Sequence, residues 1–376
     1  MTKVMLADVI LELTGECAIA AAIRREFAAA LPSDGVPHLT FHLVSALPHW
    51  APDEQVCLVG DLSATANVVE FTPDSSCRLR LAVDAQGNWH VWCKPLHTGG
   101  QVAPRLWQRW RSRTFLTADE ALGVNIAFGP LVGLLHLRIL ALGGALIHGA
   151  AFALQGKGLL LAGWGGSGKT SLLGHIAAQE ASLWEYLGDD LAMFDSQGKL
   201  ALVPLAIHFK HYNLGGFREL TEKVMRGRTG LEKWHWQRRN HGKKILGGMK
   251  RVAPEALFSL PQASRPVHLA LHLDRYAGEE LITTRMPPED FASAACAGTL
   301  NEYRSLLGVL LKVSALPSAL GFSVLPSVIE LWRETEKTIL NCVLAIPIWR
   351  IQIPRNWSSR KVGAELATVA RELMEI

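Results

Sequence analysis

Gly163-Trp164-Gly165-Gly166-Ser167-Gly168-Lys169-Thr170 is the stretch on which the reading of this chain turns. It fits G-x-x-x-x-G-K-[ST], the loop that cradles the phosphates of a nucleoside triphosphate. Gly158 to Ala162 ahead of it is apolar and uncharged, as a buried strand would be. Ser171 to Ala178 behind it sets Leu172, Leu173, Ile176 and Ala177 at helical spacing. Strand, glycine turn and helix is the context that a phosphate cradle needs. Glycines omit the Cβ atoms, so successive backbone N–H groups can curl around an anion. The helix start adds partial positive charge. In such a loop Gly163, Gly165, Gly166, Ser167, Gly168, Lys169, Thr170 and Ser171 would hold the nucleotide. Lys169 would reach the outer phosphates, and the Thr170 hydroxyl would take a place on Mg²⁺. ATP and Mg²⁺ are therefore the expected cofactors.

The flanks on either side carry more chemistry. Ala145 to Leu154 reads as one strand, Gln155-Gly156-Lys157-Gly158 as a two-residue turn, and Leu159 to Ala162 as the strand delivering the loop. An antiparallel hairpin entering a phosphate loop is unusual, since most such strands are reached through a helical crossover. Trp184 to Gly188 is a short strand ending in Asp189-Asp190, placed for magnesium and proton work about 20 residues past the Lys-Thr pair. Adjacent carboxylates do not both ionise cheaply without a cation. Leu191 to Phe194 pairs with Leu200 to Val203 around Asp195 to Gly198. Leu202 to Leu214 returns to the sheet with Lys210 inside an apolar run, either an edge-strand residue or, preferably, an anion contact.

At 376 residues, with 49% hydrophobic and 19% charged residues, the chain has ample material for a core and suits two or three domains. A net charge of +4 does not argue for nucleic acid. Six scattered cysteines without a C-x-x-C pair lack the common zinc spacings and read as reduced thiols of a cytoplasmic protein. Asp8 and Glu12 interrupt the first apolar run, so it is not read as a signal peptide. Ala121 to Ile147, the most apolar stretch, holds His136 and Arg138 and reads as a buried helix rather than a membrane span.

Residues 1–115 are expected to form a small α+β domain. Val4 to Leu13 and Leu39 to Val44 are its strands, Ile19 to Leu31 its helix, and Arg78 to Val83 with Trp89 to Cys93 a hairpin. His38, His42, His49, His90 and His97 read as turn or surface residues. Trp107, Trp110, Arg109, Arg111 and Arg113 form a basic aromatic cluster, read as a linker packing its indoles on the next domain. Thr117 and Glu120 have capping-box spacing for a helix to about Leu142, stopped by Gly143-Gly144. Lys223 to Arg251 holds ten Lys/Arg interleaved with Trp234, His235 and Trp236. It reads as a solvated mobile loop, or as a lid closing on phosphates or an acidic substrate; single-stranded nucleic acid is the weaker option. Val267 to Leu273 is a buried strand turning into Glu280 to Thr284. Pro287 to Asp290 starts a helix, Leu300 to Leu331 is helical with breaks at Pro317, Gly321 and Pro326, Ala345 to Ile353 is the last strand, and Val362 to Met374 the last helix.

With these residues assembled, the chain from about Phe128 onward resembles the HPr kinase/phosphorylase catalytic domain, and in particular the HPr-kinase-related proteins of peptide-modification gene clusters. Ile147-His148-Gly149-Ala150, the loop Gly163 to Thr170, and Gly188-Asp189-Asp190 carry the resemblance. It implies an α/β fold, a P-loop kinase domain of the HPr kinase/phosphoenolpyruvate carboxykinase type over residues 116–376, with the hairpin entry normal for that family. It implies that Asp190 takes the proton from the acceptor hydroxyl, that Asp189 joins Thr170 on Mg²⁺, and that His148 positions the acidic pair; Lys169 and Lys210 complete the candidate catalytic set. A peptide or protein acceptor and a homo-oligomer are implied, with no nucleic acid and no membrane. His208-Phe209-Lys210-His211 stands where the family has a glutamate-arginine motif, which separates this chain from phosphorylase activity and from HPr as substrate. A nucleotide-binding scaffold without phosphoryl transfer, a small-molecule hydroxyl kinase and a carboxykinase are the other readings.

Overall fold

A computed structural model describes residues 2–50, 56–96, 105–214, 217–240, 248–316 and 324–375. His97, Pro317 and Gly321, singled out above, and residues 241–247 of the basic segment, with Lys243 and Lys244, lie outside the described residues.

Alternating apolar residues in the first 95 positions build a nine-stranded sheet. Its strands are β1 (Thr2–Leu6), β2 (Val9–Thr14), β3 (Leu31–Pro32), β4 (Leu39–Leu43), β5 (Cys57–Val59), β6 (Leu62–Ala64), β7 (Val68–Asp74), β8 (Cys77–Val83) and β9 (Trp89–Pro95). They lie in the order β3-β1-β2-β4-β9-β8-β7-β6-β5. The run Val4 to Leu13, expected as one strand, is a tight hairpin. Ala7 takes a left-handed φ of +50°, and Leu6 pairs with Val9. The Asp84 turn is as read, its carboxylate accepting the N–H groups of Gln86 and Asn88 at 2.9 and 2.8 Å.

Helix α1 (Ala18–Glu26) packs on α3 (Ala118–Ile126), which follows the short α2 (Arg105–Arg111). Thr117 and Glu120 form the capping box. Residues Ala127–Leu131 then make one wide turn around Pro130 before α4 (Val132–Ala141). Proline offers no N–H, so the helix widens there instead of breaking. Among the described residues, Ala118–Ala141 is the one helix long and apolar enough to cross a membrane, and 67% of its most apolar window is buried inside the protein.

The second half of the chain contains β10 (Ala145–Ile147), β11 (Gly149–Leu154), β12 (Lys157–Ala162), α5 (Lys169–His175), β13 (Trp184–Gly188), β14 (Ala192–Phe194), β15 (Leu200–Ala201), β16 (Ile207–Lys210), α6 (His211–Leu214), α7 (Arg218–Met225), α8 (Gly230–Asn240), β17 (Met249–Val252), β18 (Val267–Tyr276), β19 (Ile282–Arg285), α9 (Pro288–Glu302), α10 (Arg304–Val313), α11 (Val328–Val343), β20 (Ile348–Pro354) and α12 (Ser359–Met374). A six-stranded sheet runs β13-β11-β12-β18-β20-β19, with β12, β18 and β20 mutually parallel. The β11–β12 hairpin turns on Gln155 (φ +52°) and Gly156 (φ +78°), both left-handed as a two-residue primed turn requires. One face of this sheet shares a continuous core with the nine-stranded sheet, α4 and α9–α11. The other packs Leu172, Ile176, Phe209, Leu220 and Leu366 from α5, the turn after it, β16, α7 and α12. The architecture is α/β.

Three expectations need correcting. Ala145 to Leu154 is two strands broken at His148: β10 leaves to pair with β14, while β11 stays in the six-stranded sheet. Residues 202–214 meet that sheet only at their start, where Val203 N donates to Leu187 O of the β13 edge; further along that edge Tyr186 N donates to Ser259 O. Their later part, β16, pairs with β17 in a separate ribbon. The basic segment is no open loop in its described part, since α8 and β17 fill much of it. Glu232 of α8 binds Lys250 of β17 at 2.7 Å and Arg228 at 3.1 Å, which ties the two elements together. The strand expected at Glu280 to Thr284 is β19, which pairs with β20.

The α1–α3 contact joins the two halves and is testable. A Cβ on Gly123 would stand 2.6 Å from Ile19 O and 2.7 Å from Ala22 Cβ. An exposed helical Gly→Ala gains about 1 kcal/mol from propensity; here overpacking against backbone reverses the sign. Gly123→Ala is expected to lose about 1–2 kcal/mol in urea unfolding. A gain would show that the halves do not pack through α1 and α3.

Candidate functional site

Strand register assembles this site. Gly149 pairs with Ala162 across the hairpin, so the next residues outward, His148 and Gly163, are neighbours. Ala151 pairs with Gly188 on the other side, which brings Asp189 and Asp190 to the same end of the sheet. Three sequence landmarks spread over some 40 positions thus meet at one strand end.

Gly163 has φ +145°, and a Cβ there would lie 2.5 Å from Leu273 O of the parallel strand β18. Gly168, with φ +132°, leads directly into α5, and its Cβ would press on Val362 of α12 at 3.0 Å. A side chain at Gly163 would push the loop off β18, and one at Gly168 would strain a backbone conformation that favours glycine. Gly165 and Gly166 face open space, as a cradle for a ligand does. Arg275 staples the loop from outside, donating to Gly166 O at 3.2 Å and to Pro354 O at 2.9 Å.

Lys169 is 4% exposed. Its ammonium donates to the carbonyls of Gly163 and Trp164 and to His148 Nε2 at 3.2 Å. Accepting that bond requires the neutral imidazole with its proton on Nδ1, which faces Glu302 Oε1 at 3.8 Å. Burial, then the Lys169 charge, hold the His148 pKa below its ordinary value. The His148 backbone is fixed by N–H donation to Thr299 Oγ1 of α9 at 2.9 Å. Burial also lowers Lys169, against the pull of Asp190, Asp189 and Glu302.

The acidic pair divides its labour through backbone geometry. Asp190 takes a left-handed φ of +62° and is exposed, while Asp189 is buried. Burial, reinforced by the neighbouring Asp190 carboxylate, pushes the Asp189 carboxyl up to about 8, so it holds a proton at neutral pH. Its Oδ1 and the Ser167 hydroxyl are buried without hydrogen-bond partners. A buried orphaned oxygen costs about 1–3 kcal/mol, and an incoming cation at Asp189 Oδ1 would recover that. Among the described residues no cluster of three or more His, Cys, Asp or Glu forms a metal cage. Thr170 and Asp189 fit the sparser habit of Mg²⁺, which uses one or two protein oxygens and fills its octahedron with water and phosphate. Ser171 is buried at the start of α5, and Thr170 is half-buried beside it.

Lys210 stands at the end of β16, exposed, and its charge acts to lower the Asp189 pKa. The structure also contributes residues that the sequence reading passed over. His272 of β18 pairs with Ala162 at the mouth of the loop; burial lowers its pKa, and Lys169 is among the charges acting on it. Asp274 lies 3.5 Å from His272 Nδ1 and receives Arg350 Nε at 2.6 Å. His208, already named in the segment that departs from the family's glutamate-arginine motif, accepts from Arg251 Nε at 3.0 Å and feels the Asp190 charge. A histidine inside Leu269-Ala270-Leu271-His272-Leu273 is a polar break in a buried strand, and that signal was legible. Glu302 and Arg350 had none. No protein-family model and no curated protein matches the chain.

The proton on Asp189 has a measurable consequence. The folded state keeps it up to about pH 8, whereas an unfolded aspartate releases it near pH 4. Stability of the ligand-free protein therefore falls as pH rises through that window and levels off above it. Asp189→Asn should remove this slope and raise Tm at pH 8.5 by about 2 °C or more. Parallel melting curves of the two proteins from pH 5 to 9 would refute a protonated Asp189.

Proposed function

We propose that this chain is an ATP- and Mg²⁺-dependent kinase of the HPr-kinase type, transferring the γ-phosphoryl group to a hydroxyl of a peptide or protein, most simply a serine. The observation that carries the reading is the buried, unpartnered Asp189 carboxyl oxygen, set beside Lys169 and His148 at the mouth of an open glycine loop. Phosphoryl transfer asks for positioning and charge neutralisation more than for covalent chemistry, and these residues provide both.

The residues would act as follows. Lys169 exchanges the Gly163 and Trp164 carbonyls for phosphate oxygens, and the loop N–H groups bind the rest of the phosphate chain. Asp189, once deprotonated, and Thr170 would hold Mg²⁺, which would supply positive charge against the phosphates. Asp190, turned outward by its left-handed backbone, accepts the hydroxyl proton as the acceptor oxygen bonds to the γ-phosphorus and the bond to ADP breaks. His148 stays neutral and holds the Lys169 ammonium in register. Lys210, on the exposed side, adds positive potential where the transferred group gathers charge.

Two substitutions test the proposal. Lys169→Ala should weaken ATP binding about tenfold or more, measured by titration calorimetry with Mg²⁺. Asp190→Asn should leave ATP affinity within about threefold of wild type but slow phosphoryl transfer roughly 100-fold or more. Unchanged ATP affinity in the lysine variant would overturn the nucleotide site. Full transfer by the asparagine variant would overturn the assigned base.

A further inference from the structure

The basic, aromatic segment 223–251 has no role in the chemistry above, and its described part is built rather than loose. His235 Nε2 bonds Trp110 O at 3.0 Å, and Arg239 donates to Arg111 O, which fixes α8 against α2. Trp110 and Trp234 stack at 4.5 Å. Nevertheless, no residue of α2 is buried. Leu106, Trp107, Leu231 and Trp234 remain 59%, 54%, 40% and 50% exposed. With Trp110 and Arg238 they wall an open groove of about 440 Å³. A smaller hollow of about 270 Å³ shares Trp110 and Arg238 and adds Arg111 and Arg239.

Charge decides what fits. The acids nearby are already committed: Glu232 to Lys250 and Arg228, and Glu120 to Arg109 and Arg25. Arg238 instead lies 5.5 and 5.7 Å from the Trp234 and Trp110 ring centres. The groove is thus apolar on its walls and cationic along one rim. A backbone link also runs from its neighbourhood to the ribbon that carries Lys210. Met249 N of β17 donates to Arg113 O at 3.0 Å, and the β16–β17 ribbon carries His208 and Lys210 toward the acidic pair.

We propose that this groove docks an acidic peptide segment bearing an apolar anchor side chain, and that the segment belongs to the phosphoryl acceptor. The anchor enters between Trp107, Leu106 and Leu231, and its flanking carboxylates meet Arg238, Arg111 and Arg239. Nucleic acid suits the groove less well. The Trp110 and Trp234 faces are spent on each other rather than spaced for successive bases, and two leucines line the walls. Only the identification of the occupant as acceptor rests on the kinase reading.

The test uses full-length protein and a short fluorescein-labelled peptide of alternating Glu and Leu, followed by anisotropy without nucleotide. Binding that weakens with salt is expected. Arg238→Glu and Trp107→Ser should each weaken it about tenfold or more, while Arg238→Lys and Lys169→Ala leave it within about threefold. Circular dichroism of each variant guards against unfolding, and Trp107, being exposed, is the safer of the two sites. Absent binding, equal binding of a Lys/Leu peptide, tighter binding of oligo(dT), or a dimer that dissociates in Trp107→Ser would each overturn the proposal. Adding a serine to the peptide separates the two readings. Docking without phosphorylation under ATP and Mg²⁺ sinks the kinase and spares the groove; phosphorylation with a KM indifferent to Arg238→Glu does the reverse.

Discussion

A buried ammonium and a buried carboxyl sit close together at one end of a sheet, and most of the structure around them serves to keep them there. Lys169 is held by two backbone carbonyls and a neutral imidazole, with no carboxylate hydrogen-bonded to it. Asp189 avoids the cost of an isolated buried charge by keeping its proton. Neither group has its best partner in the resting chain. Under the function proposed above, a triphosphate with its metal would offer both at once: anionic oxygens for the lysine and a cation for the carboxylate.

Keeping such a pair poised requires a rigid surround. The approach of Gly163 to Leu273 O forbids any side chain, so the loop lies flat on β18. Thr299 pins the His148 backbone from α9, and Arg275 ties the Gly166 carbonyl to the end of β20. These contacts come from β18, α9 and β20, more than 100 residues beyond the loop. The core behind α9 is continuous with the nine-stranded sheet, so the N-terminal half supports the same wall. A hairpin entry is what allows His148 to be a neighbour of Gly163. A helical crossover would have placed a distant segment there.

Much of the site was legible before the fold was known. The glycine loop and the acidic pair stand out by residue type and spacing, and His148 by the family resemblance. Local elements with strong signals were legible too: the Thr117 capping box, the Asp84 turn and the Gln155-Gly156 hairpin. The errors fall where pairing partners are chosen at long range. Whether residues 145–154 are one strand or two depends on β14 offering itself to β10. How far 202–214 follows the sheet depends on β17 drawing β16 away and on Ser259 bonding the β13 edge. The basic segment looked like a solvated loop because Glu232 was one acid among many cations, and only folding sets it against Lys250.

The sequence by itself determined which groups are on offer: a glycine loop of the phosphate-cradling pattern with its lysine, and two adjacent aspartates, specified by residue type and short spacing, and a histidine marked by the family resemblance. Only the tertiary structure decided their states. It buried Asp189 and exposed Asp190, drew Lys169 back onto its own loop, brought His272, Asp274, Glu302 and Arg350 to the rim, and set α2 against α8 as an uncovered aromatic groove. Burial and through-space charge are properties of the packed chain, and no reading of neighbours along the sequence can supply them.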